Sequence, residues 1–474
     1  MSELLHESIN PNAAIRFDGR VIDATGIAHG ADRVAGALAG MGVIPGDRVA
    51  ILMEKSQGAI IAILGALKAG AAYVPIDPSQ PEARIGLILA ECGPKAIVAD
   101  SALKGLEGVT RGSNLLRLGD NIDIDTARGS FSGPGGARSL AYILFTSGST
   151  GTPKGVAMSH QGAMAFVKWA ALEFAMSERD VVAMSSEFTF DLSIFDIFVS
   201  LKAGCAMAPV PKSARALPTE LARWLGDEKV TTIYTVPWAL MRLVQYGQLE
   251  KAPLSLKKIL FAGEVYPTGK VKELFGAFPR ARIYNLYGPT ETNVCLFHKV
   301  SKDDLHGPIP IGLPCCGDKV KIIGGGDEGE LAVSGPTLFT SYFGRDEWTG
   351  KSTFVENGAR WHKTGDRVKY ENGRYYFIGR KDTMVKKRGY RIELGEIEEA
   401  IYKSPGVDEC VVYSGEGQNG VTITAAVSPA TLSTLELRKF LTTELPEYMM
   451  PDHINAVESL PRTETGKARR SEIV

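Results

Sequence analysis

Strand, helix and strand alternate at short spacing through residues 26–76, and this alternation narrows the possible folds more than any other feature of the chain. Ala31–Met41 reads as an amphipathic helix stopped by Gly42, and Arg48-Val-Ala-Ile-Leu-Met53 as a buried strand. Ala59–Ala69 reads as a helix stopped by Gly70, and Ala72-Tyr-Val-Pro-Ile76 as the next strand. Glycine stops a helix because it accepts the left-handed backbone that ends the last turn. Apolar strands joined through helices lie parallel in a sheet that the helices cover. The pattern recurs at 95–101, 141–145, 181–208, 229–265 and 281–298, which predicts three layered αβα subdomains up to about residue 380. Segment 108–138, with Gly-Pro-Gly-Gly at 133–136, reads as a loop between two of them.

From 310 to 380 the texture changes to short strands and turns: Val320–Ile323, Gly329–Val333, Arg367–Tyr370 and Tyr375–Ile378, which predicts a small β-barrel. After Asp382 the order is strand, helix (Glu393–Lys403), strand (Glu409–Tyr413), strand (Val421–Val427) and helix (Ser433–Glu444). Ser433 followed by Glu436 has capping-box spacing, which marks a helix start. This is a small α+β unit of about 90 residues. The 474 residues therefore divide into a large N-terminal α/β domain (1–381) and a small C-terminal domain (382–474).

The stretch Tyr142–Gly155, YILFTSGSTGTPKG, carries the first chemical signal. Runs of Ser, Gly and Thr are usually linkers. This one lies between two apolar segments, Ala141–Phe145 and Gly155–Met158, where a linker has no reason to be. A loop of this composition offers backbone N–H groups and hydroxyls to a phosphate. It is not the common phosphate loop, in which lysine follows glycine and opens a helix. Here Lys154 stands between Pro153 and Gly155, so no helix starts there.

The loop is similar to the phosphate-loop motif of the adenylate-forming enzymes, which include the adenylation domains of nonribosomal peptide synthesis, the acyl-CoA synthetases and the firefly luciferases. Further motifs of that superfamily follow in its order: LKAGAAYVPID (Leu67–Asp77), FDLSIFDIF (Phe190–Phe198), NLYGPTET (Asn285–Thr292), GELAVSGPTL (Gly329–Leu338), WHKTGDR (Trp361–Arg367), GRKDTMVKKRGYRIELGEIE (Gly379–Glu398) and LPRTETGK (Leu460–Lys467). The resemblance covers nearly the whole chain. It implies carboxylate attack on the α-phosphate of ATP, giving an acyl-adenylate and pyrophosphate, a meeting of anions that needs cations and oriented dipoles.

The resemblance also implies roles for particular residues. Thr146, Ser147, Gly148, Ser149, Thr150, Gly151 and Lys154 would wrap the β- and γ-phosphates, with Thr146 and Thr150 offering hydroxyls to phosphate or Mg²⁺. Tyr287 would stack on adenine, Asn285 would bond its exocyclic amine, Gly288 would bind ATP beside them, and Thr290 would contact the α-phosphate. Glu291 would hold Mg²⁺. Asp366 would grip the ribose hydroxyls and Arg380 the ribose or phosphate, with Phe377 where the family often has tyrosine. Lys467 would bridge the substrate carboxylate and the nucleotide as a compact cation. Asp382 matches the hinge of a mobile C-terminal domain, and Arg388-Gly389-Tyr390 the loop that replaces Lys467 when a thiol displaces AMP.

Asp191 separates the branches of the superfamily. In amino-acid-activating members the aspartate of F-D-x-S pairs with the substrate ammonium; a helix N-cap is the alternative reading, and the two are compatible. The family's pocket positions fall on Asp191, Leu192, Phe195, Thr235, Leu260, Ala262, Gly263, Leu286, Val294, Cys295 and Lys467. The lining is apolar apart from Asp191, Thr235 and Lys467, which implies a small or medium aliphatic amino acid. The set is similar to that of stand-alone proline-activating enzymes. FDLS and Ala262–Val265 resemble D-alanine–carrier protein ligases, so proline leads and alanine follows. With no carrier motif in the chain, the acceptor thiol is expected on a separate carrier protein's phosphopantetheine arm. An acyl-CoA synthetase and a non-catalytic nucleotide-binding protein are the rivals.

Net charge of −1 gives no case for nucleic acid or membrane affinity. The N-terminus has no apolar signal region, and the longest apolar stretch, around Ala59–Leu67, is too short to span a bilayer. Cys92, Cys205, Cys295, Cys315, Cys316 and Cys410 show no C-x-x-C spacing, and adjacent Cys315-Cys316 suits one metal poorly. Scattered cysteines fit a reducing cytoplasm and no structural zinc.

Overall fold

The computed structural model describes residues 3–101, 107–110, 112–119, 135–147, 152–381, 384–417, 420–458 and 460. It divides into two compact units. The first takes in Met1–Asp77, Cys92–Leu144 and Gly155–Lys381; the second takes in Pro78–Glu91, Phe145–Lys154 and Asp382–Val474.

The first unit is built on two large sheets. One has nine strands in the order Leu313–Pro314, Leu296–Val300, Arg282–Tyr287, Lys258–Phe261, Thr232–Thr235, Val181–Met184, Ala206–Pro209, Ala14–Phe17 and Arg20–Asp23. From Arg282–Tyr287 to Ala14–Phe17 all pairings are parallel; only the edges are antiparallel. The other has seven strands, in which Leu140–Thr146, Ala72–Ile76, Arg48–Leu52, Ala96–Asp100 and Leu115–Leu118 run parallel in that order. Leu115–Leu118 corrects the reading of 108–138 as a loop: four residues suffice to add an edge strand there.

Local chemistry sets the helices between these strands. Ser56 accepts the Ala59 N–H at 3.2 Å and opens helix Gln57–Lys68, and Gly70 stops it with φ +80°. This helix is buried almost throughout and lies against Ala24–Gly40. A Cβ on Gly65 would stand 2.4 Å from Val34 Cβ, so glycine permits the close approach. Ala24–Gly40 starts seven residues earlier than its pattern suggests, at Asp23, whose carboxylate accepts the Gly26 N–H at 2.8 Å.

The region expected as a small β-barrel is a five-stranded antiparallel sheet. Lys319–Ile322 pairs with Glu328–Ser334, which pairs with Ala359–Glu371; Thr353–Glu356 and Arg374–Arg380 also pair with Ala359–Glu371. Among the described residues these pairings do not close on themselves.

In the second unit, Met384–Lys387 and Tyr390–Glu393 form a hairpin, followed by helix Leu394–Tyr402. Arg388 and Gly389 make its two-residue turn with φ +54° and +84°, the left-handed pair that matches strand twist. Glu409–Gly417 and Gly420–Ser428 pair antiparallel, and His453–Ala456 adds a parallel strand. Helix Thr434–Glu444 opens at Ser433, which accepts the Glu436 N–H at 3.3 Å as its spacing predicts. Ile392, Ile397, Ile401, Val412, Ile423, Val427, Leu437 and Leu441 form the core of this unit.

Candidate active site

The carboxyl ends of the parallel strands carry several of the expected substrate positions. Thr235 ends its strand, Ala262 and Gly263 follow Phe261, and Leu286 lies near the end of Arg282–Tyr287. The registers Thr235↔Phe261 and Phe261↔Asn285 set these ends side by side. Ligands of α/β sheets collect outside this edge. Leu192, Phe195, Leu260, Ala262, Leu286 and Val294 belong to one buried apolar cluster. Thr235 is buried as well, and Cys295 belongs to a neighbouring cluster with Tyr287.

Asp191 stands just before the short helix Leu192–Ile194. A capping residue has extended backbone, which turns its side-chain oxygen onto the first N–H groups. Asp191 instead has φ −63° and ψ −22°, already helical, and its side chain makes no capping hydrogen bond. The cap reading therefore does not describe it. Ser193 braces the turn by donating its hydroxyl to the Phe190 carbonyl at 2.6 Å. Phe195–Val199 then forms a π-helical turn before Ser200–Ala203. Such turns mark functional sites often, since the extra residue redirects the side chains. Phe195 is fully buried, edge-on to Phe174 at 6.0 Å and to Tyr234 at 5.5 Å.

Asp196, within this turn, and Lys55, whose charge acts on it, were not legible in the sequence. Asp196 is fully buried, and burial pushes its carboxyl well above the usual range, opposed by the Lys55 ammonium and the Ser186 N–H. Burial and the Arg215 charge lower Lys55, whose ammonium donates to the Met184 carbonyl at 3.0 Å. The Tyr142 hydroxyl and Asn293 Nδ2 are also buried. Burial raises Tyr142, with Asn293 opposing and the Asp191 charge adding.

A second group gathers around Asp366, which is fully buried. The Tyr287 hydroxyl donates to Asp366 Oδ2 at 2.5 Å, and Arg380 forms an ion pair with Oδ1. Burial raises Tyr287 well above its ordinary range, and the Asp366 charge adds to this. The Tyr287 ring packs with Ile311, Leu331, Val333 and Val368, against which Phe377 is half-buried. Asn285 donates its amide to the Pro310 carbonyl at 2.8 Å, which commits the donor end and leaves Oδ1 as acceptor. Gly288 must be glycine: a Cβ there would lie 1.6 Å from the Asn293 carbonyl oxygen. Thr290 is half-buried, and Glu291 is fully buried. The Tyr342 hydroxyl donates to Glu291 Oε1 at 2.6 Å, a long-range partner with no sequence signal.

In the second unit the expected phosphate loop is described at its two ends. Thr146 Oγ1 is buried without a partner among the described residues. Ser147 donates to the Arg391 carbonyl at 2.5 Å and accepts the Glu393 N–H at 3.2 Å. Lys154 Nζ lies 3.7 Å from Glu393 Oε1. Gly148, Ser149, Thr150, Gly151, Asp382 and Lys467 lie outside the described residues. Among the described residues no group of three or more His, Cys, Asp or Glu could hold a metal ion by itself, and no helix is long and apolar enough to cross a membrane.

The family model described as "AMP-binding enzyme" matches residues 12–343, and "AMP-binding enzyme C-terminal domain" matches residues 396–467. The chain belongs to the AMP-binding enzyme family. Among its relatives is an L-proline–[L-prolyl-carrier protein] ligase of Streptomyces coelicolor, 38% identical over 92% of this chain and 88% of that protein. A protein of the same name from Pseudomonas fluorescens is 36% identical over 91% of this chain and 90% of its own length. Among solved structures, holo-PA1221, a nonribosomal peptide synthetase protein containing adenylation and carrier (PCP) domains, is similar with a TM-score of 0.84. It is 26% identical, and the match covers 97% of this AMP-binding enzyme and 80% of that chain.

Proposed function

We propose that this AMP-binding enzyme activates a small aliphatic amino acid, L-proline first and alanine second, as an aminoacyl-AMP with release of pyrophosphate. It then passes the aminoacyl group to the phosphopantetheine thiol of a separate carrier protein. The observation that carries this reading is Asp191: a carboxylate that makes no helix cap, at the start of a segment whose next residues are buried in an apolar cluster. A substrate ammonium pairs with such a carboxylate, whereas a plain carboxylic acid offers it nothing. The two proline–carrier ligases support proline and a carrier acceptor.

The remaining roles follow from this chemistry. Leu192, Phe195, Thr235, Leu260, Ala262, Gly263, Leu286, Val294 and Cys295 enclose the amino-acid side chain. Asn285 accepts from the adenine amine, and Tyr287, Asp366 and Arg380 hold the nucleoside. Thr290 contacts the α-phosphate. The buried, unpaired hydroxyl of Thr146 suits a phosphate oxygen or an ion on it, and Ser147 through Gly151, with Lys154, cradle the outer phosphates. Glu291 is a suitable Mg²⁺ ligand, since Mg²⁺ bound to a nucleotide takes one or two carboxylates and keeps phosphate oxygens and waters for the rest. Bound there, Mg²⁺ would neutralise phosphate charge. Lys467 steadies the attacking carboxylate, and Asp382 is the hinge that replaces it with Arg388-Gly389-Tyr390 for thiol transfer.

Amino-acid-dependent ATP–pyrophosphate exchange tests the proposal, with L-proline, both alanine enantiomers, glycine, serine, valine, β-amino acids and short fatty acids. Exchange with one small amino acid supports it. Exchange with a plain acid alone would move the enzyme to the acyl-CoA branch.

A further inference from the structure

Successive residues of a strand point to opposite faces, so adjacent cysteines normally keep their thiols apart. Cys315 and Cys316 do not. Cys315 extends the edge of the nine-stranded sheet, its N–H donating to the Cys295 carbonyl at 3.0 Å. A tight turn follows at once: the Asp318 N–H donates to the Cys315 carbonyl at 2.8 Å, with Cys316 at φ +56° and Gly317 at φ +82°. The first central position of such a turn favours Asn, Asp or Gly. Cysteine there is conformationally costly, and its left-handed backbone folds the side chain back over its neighbour. The two Sγ atoms stand 3.5 Å apart.

Both thiols also lie against one carbonyl oxygen, that of Val294, at 3.6 Å for Cys315 and 3.5 Å for Cys316. Cys315 is buried and Cys316 half-buried, so a small solute reaches Cys316 first. Burial pushes the Cys315 thiol upward, and the neighbouring Cys316 adds to that.

We infer that Cys315 and Cys316 form an oxidisable vicinal dithiol, a modification site for a peroxide-class oxidant. The Cys316 thiolate attacks one peroxide oxygen and expels hydroxide, leaving a sulfenic acid. The Cys315 thiol then displaces water from that sulfur to form the disulfide. Two thiols and one hydrogen peroxide give one disulfide and two waters; both sulfurs are oxidised and the peroxide is reduced. Adjacent Cα atoms are about 3.8 Å apart across a trans peptide, closer than disulfides prefer, so the bond is readily reduced and the modification reversible. Closure removes both S–H groups from the Val294 carbonyl. Resting on the proposed function, in which Val294 lines the amino-acid pocket, closure weakens amino-acid binding and leaves ATP binding alone.

The experiment treats the full chain with hydrogen peroxide, blocks free thiols and maps peptides by mass. The expected result is a peptide containing Cys315 and Cys316 lighter by two hydrogens, restored by dithiothreitol and absent in Cys316→Ser. Both cysteines remaining alkylatable, or Cys316 advancing to sulfinic acid with Cys315 still free, would overturn the site. In ATP–pyrophosphate exchange the oxidised protein should show a several-fold higher KM for the amino acid, an unchanged KM for ATP, and recovery on reduction. An unchanged amino-acid KM in protein shown by mass to be oxidised would overturn the link to the pocket. If the reduced protein exchanges with no amino acid, the adenylation proposal fails while the mass result still decides the dithiol.

Discussion

Replacing Phe195 by alanine separates two readings of one side chain. As a core residue, Phe195 is fully buried and edge-on to Phe174 and Tyr234. Removing such a ring costs about 3–5 kcal/mol, lost burial plus the cavity left behind. That is a large share of the 5–15 kcal/mol typical of native proteins, yet most of the molecules stay folded. As the wall of an amino-acid pocket, Phe195 sets how large a substrate fits. The space it vacates takes a larger side chain: L-phenylalanine carries roughly four more side-chain carbons than proline, each worth about 0.8 kcal/mol when buried. Incomplete fit leaves roughly 2–3 kcal/mol, or about 30–160-fold in relative kcat/KM. Urea unfolding measures the first quantity, and ATP–pyrophosphate exchange with L-phenylalanine against L-proline measures the second. A variant that loses the expected stability but keeps the wild-type selectivity would show that Phe195 is core alone, and the pocket assignment would fall with it.

Four further outcomes are expected. Asp191→Ala should abolish amino-acid-dependent exchange while ATP still binds; retained activity on an amino acid would remove the ammonium contact. Lys467→Ala should slow adenylate formation by orders of magnitude and affect thiol transfer from supplied adenylate less; equal loss in both half-reactions would contradict domain exchange. Tyr342→Phe removes a donor from a buried carboxylate and should cost about 1.5–3 kcal/mol in urea unfolding, with Glu291→Gln largely masking the effect in a double-mutant cycle. Asp318 is held up to about 6 from 3.8 by burial, against which Thr337 donates from its N–H and hydroxyl. The folded state then holds a proton that the unfolded chain releases near pH 4, so this group's stabilisation is complete below that and is lost as pH rises to 6. Asp318→Asn should flatten that segment of the stability–pH profile, by up to ~3 kcal/mol; an unchanged slope would place the titration elsewhere.

What could be read in advance follows from how local each feature is. Ser433 and Ser56 cap helices through bonds to residues three positions on. Only Ser433 was legible as a cap, because Glu436 completed a recognisable spacing. The true start of Ala24–Gly40 was hidden because Gly26 and Gly30 are poor helix formers, and packing overrides that preference. Leu115–Leu118 was hidden because an edge strand of four residues between glycines carries too little alternation to see. The motifs named Asp191, Asp366 and Glu291, but not what holds them. Arg380 could be assigned to the nucleoside end from the family pattern, whereas its ion pair with Asp366 depends on the pairing of two strands. Tyr342 and Lys55 are distant in sequence from what they serve, and no periodicity marks either.

Four buried acids of the first unit and the half-buried Asp191 bear on specificity. Asp366 has Tyr287 and Arg380, Glu291 has Tyr342, Asp318 has Thr337, and Asp196 faces Lys55. Each of these is met by a donor or cation of the chain itself, as buried acids require. Asp191 has a backbone that is already helical, and its side chain makes no capping hydrogen bond. On the proposed function, the cation that Asp191 meets is the substrate ammonium. A substrate with the same carbon skeleton but no ammonium would bury its chain equally well and offer Asp191 no charge. Sites that pair a buried polar group with the substrate reject such analogues far more strongly than sites that merely measure size, by about 10⁴–10⁵ against 10–200-fold. Discrimination between L-proline and cyclopentanecarboxylic acid should therefore exceed discrimination between L-proline and alanine. Comparable exchange with proline and the ring acid would mean that Asp191 meets no ammonium, whatever the fold around it.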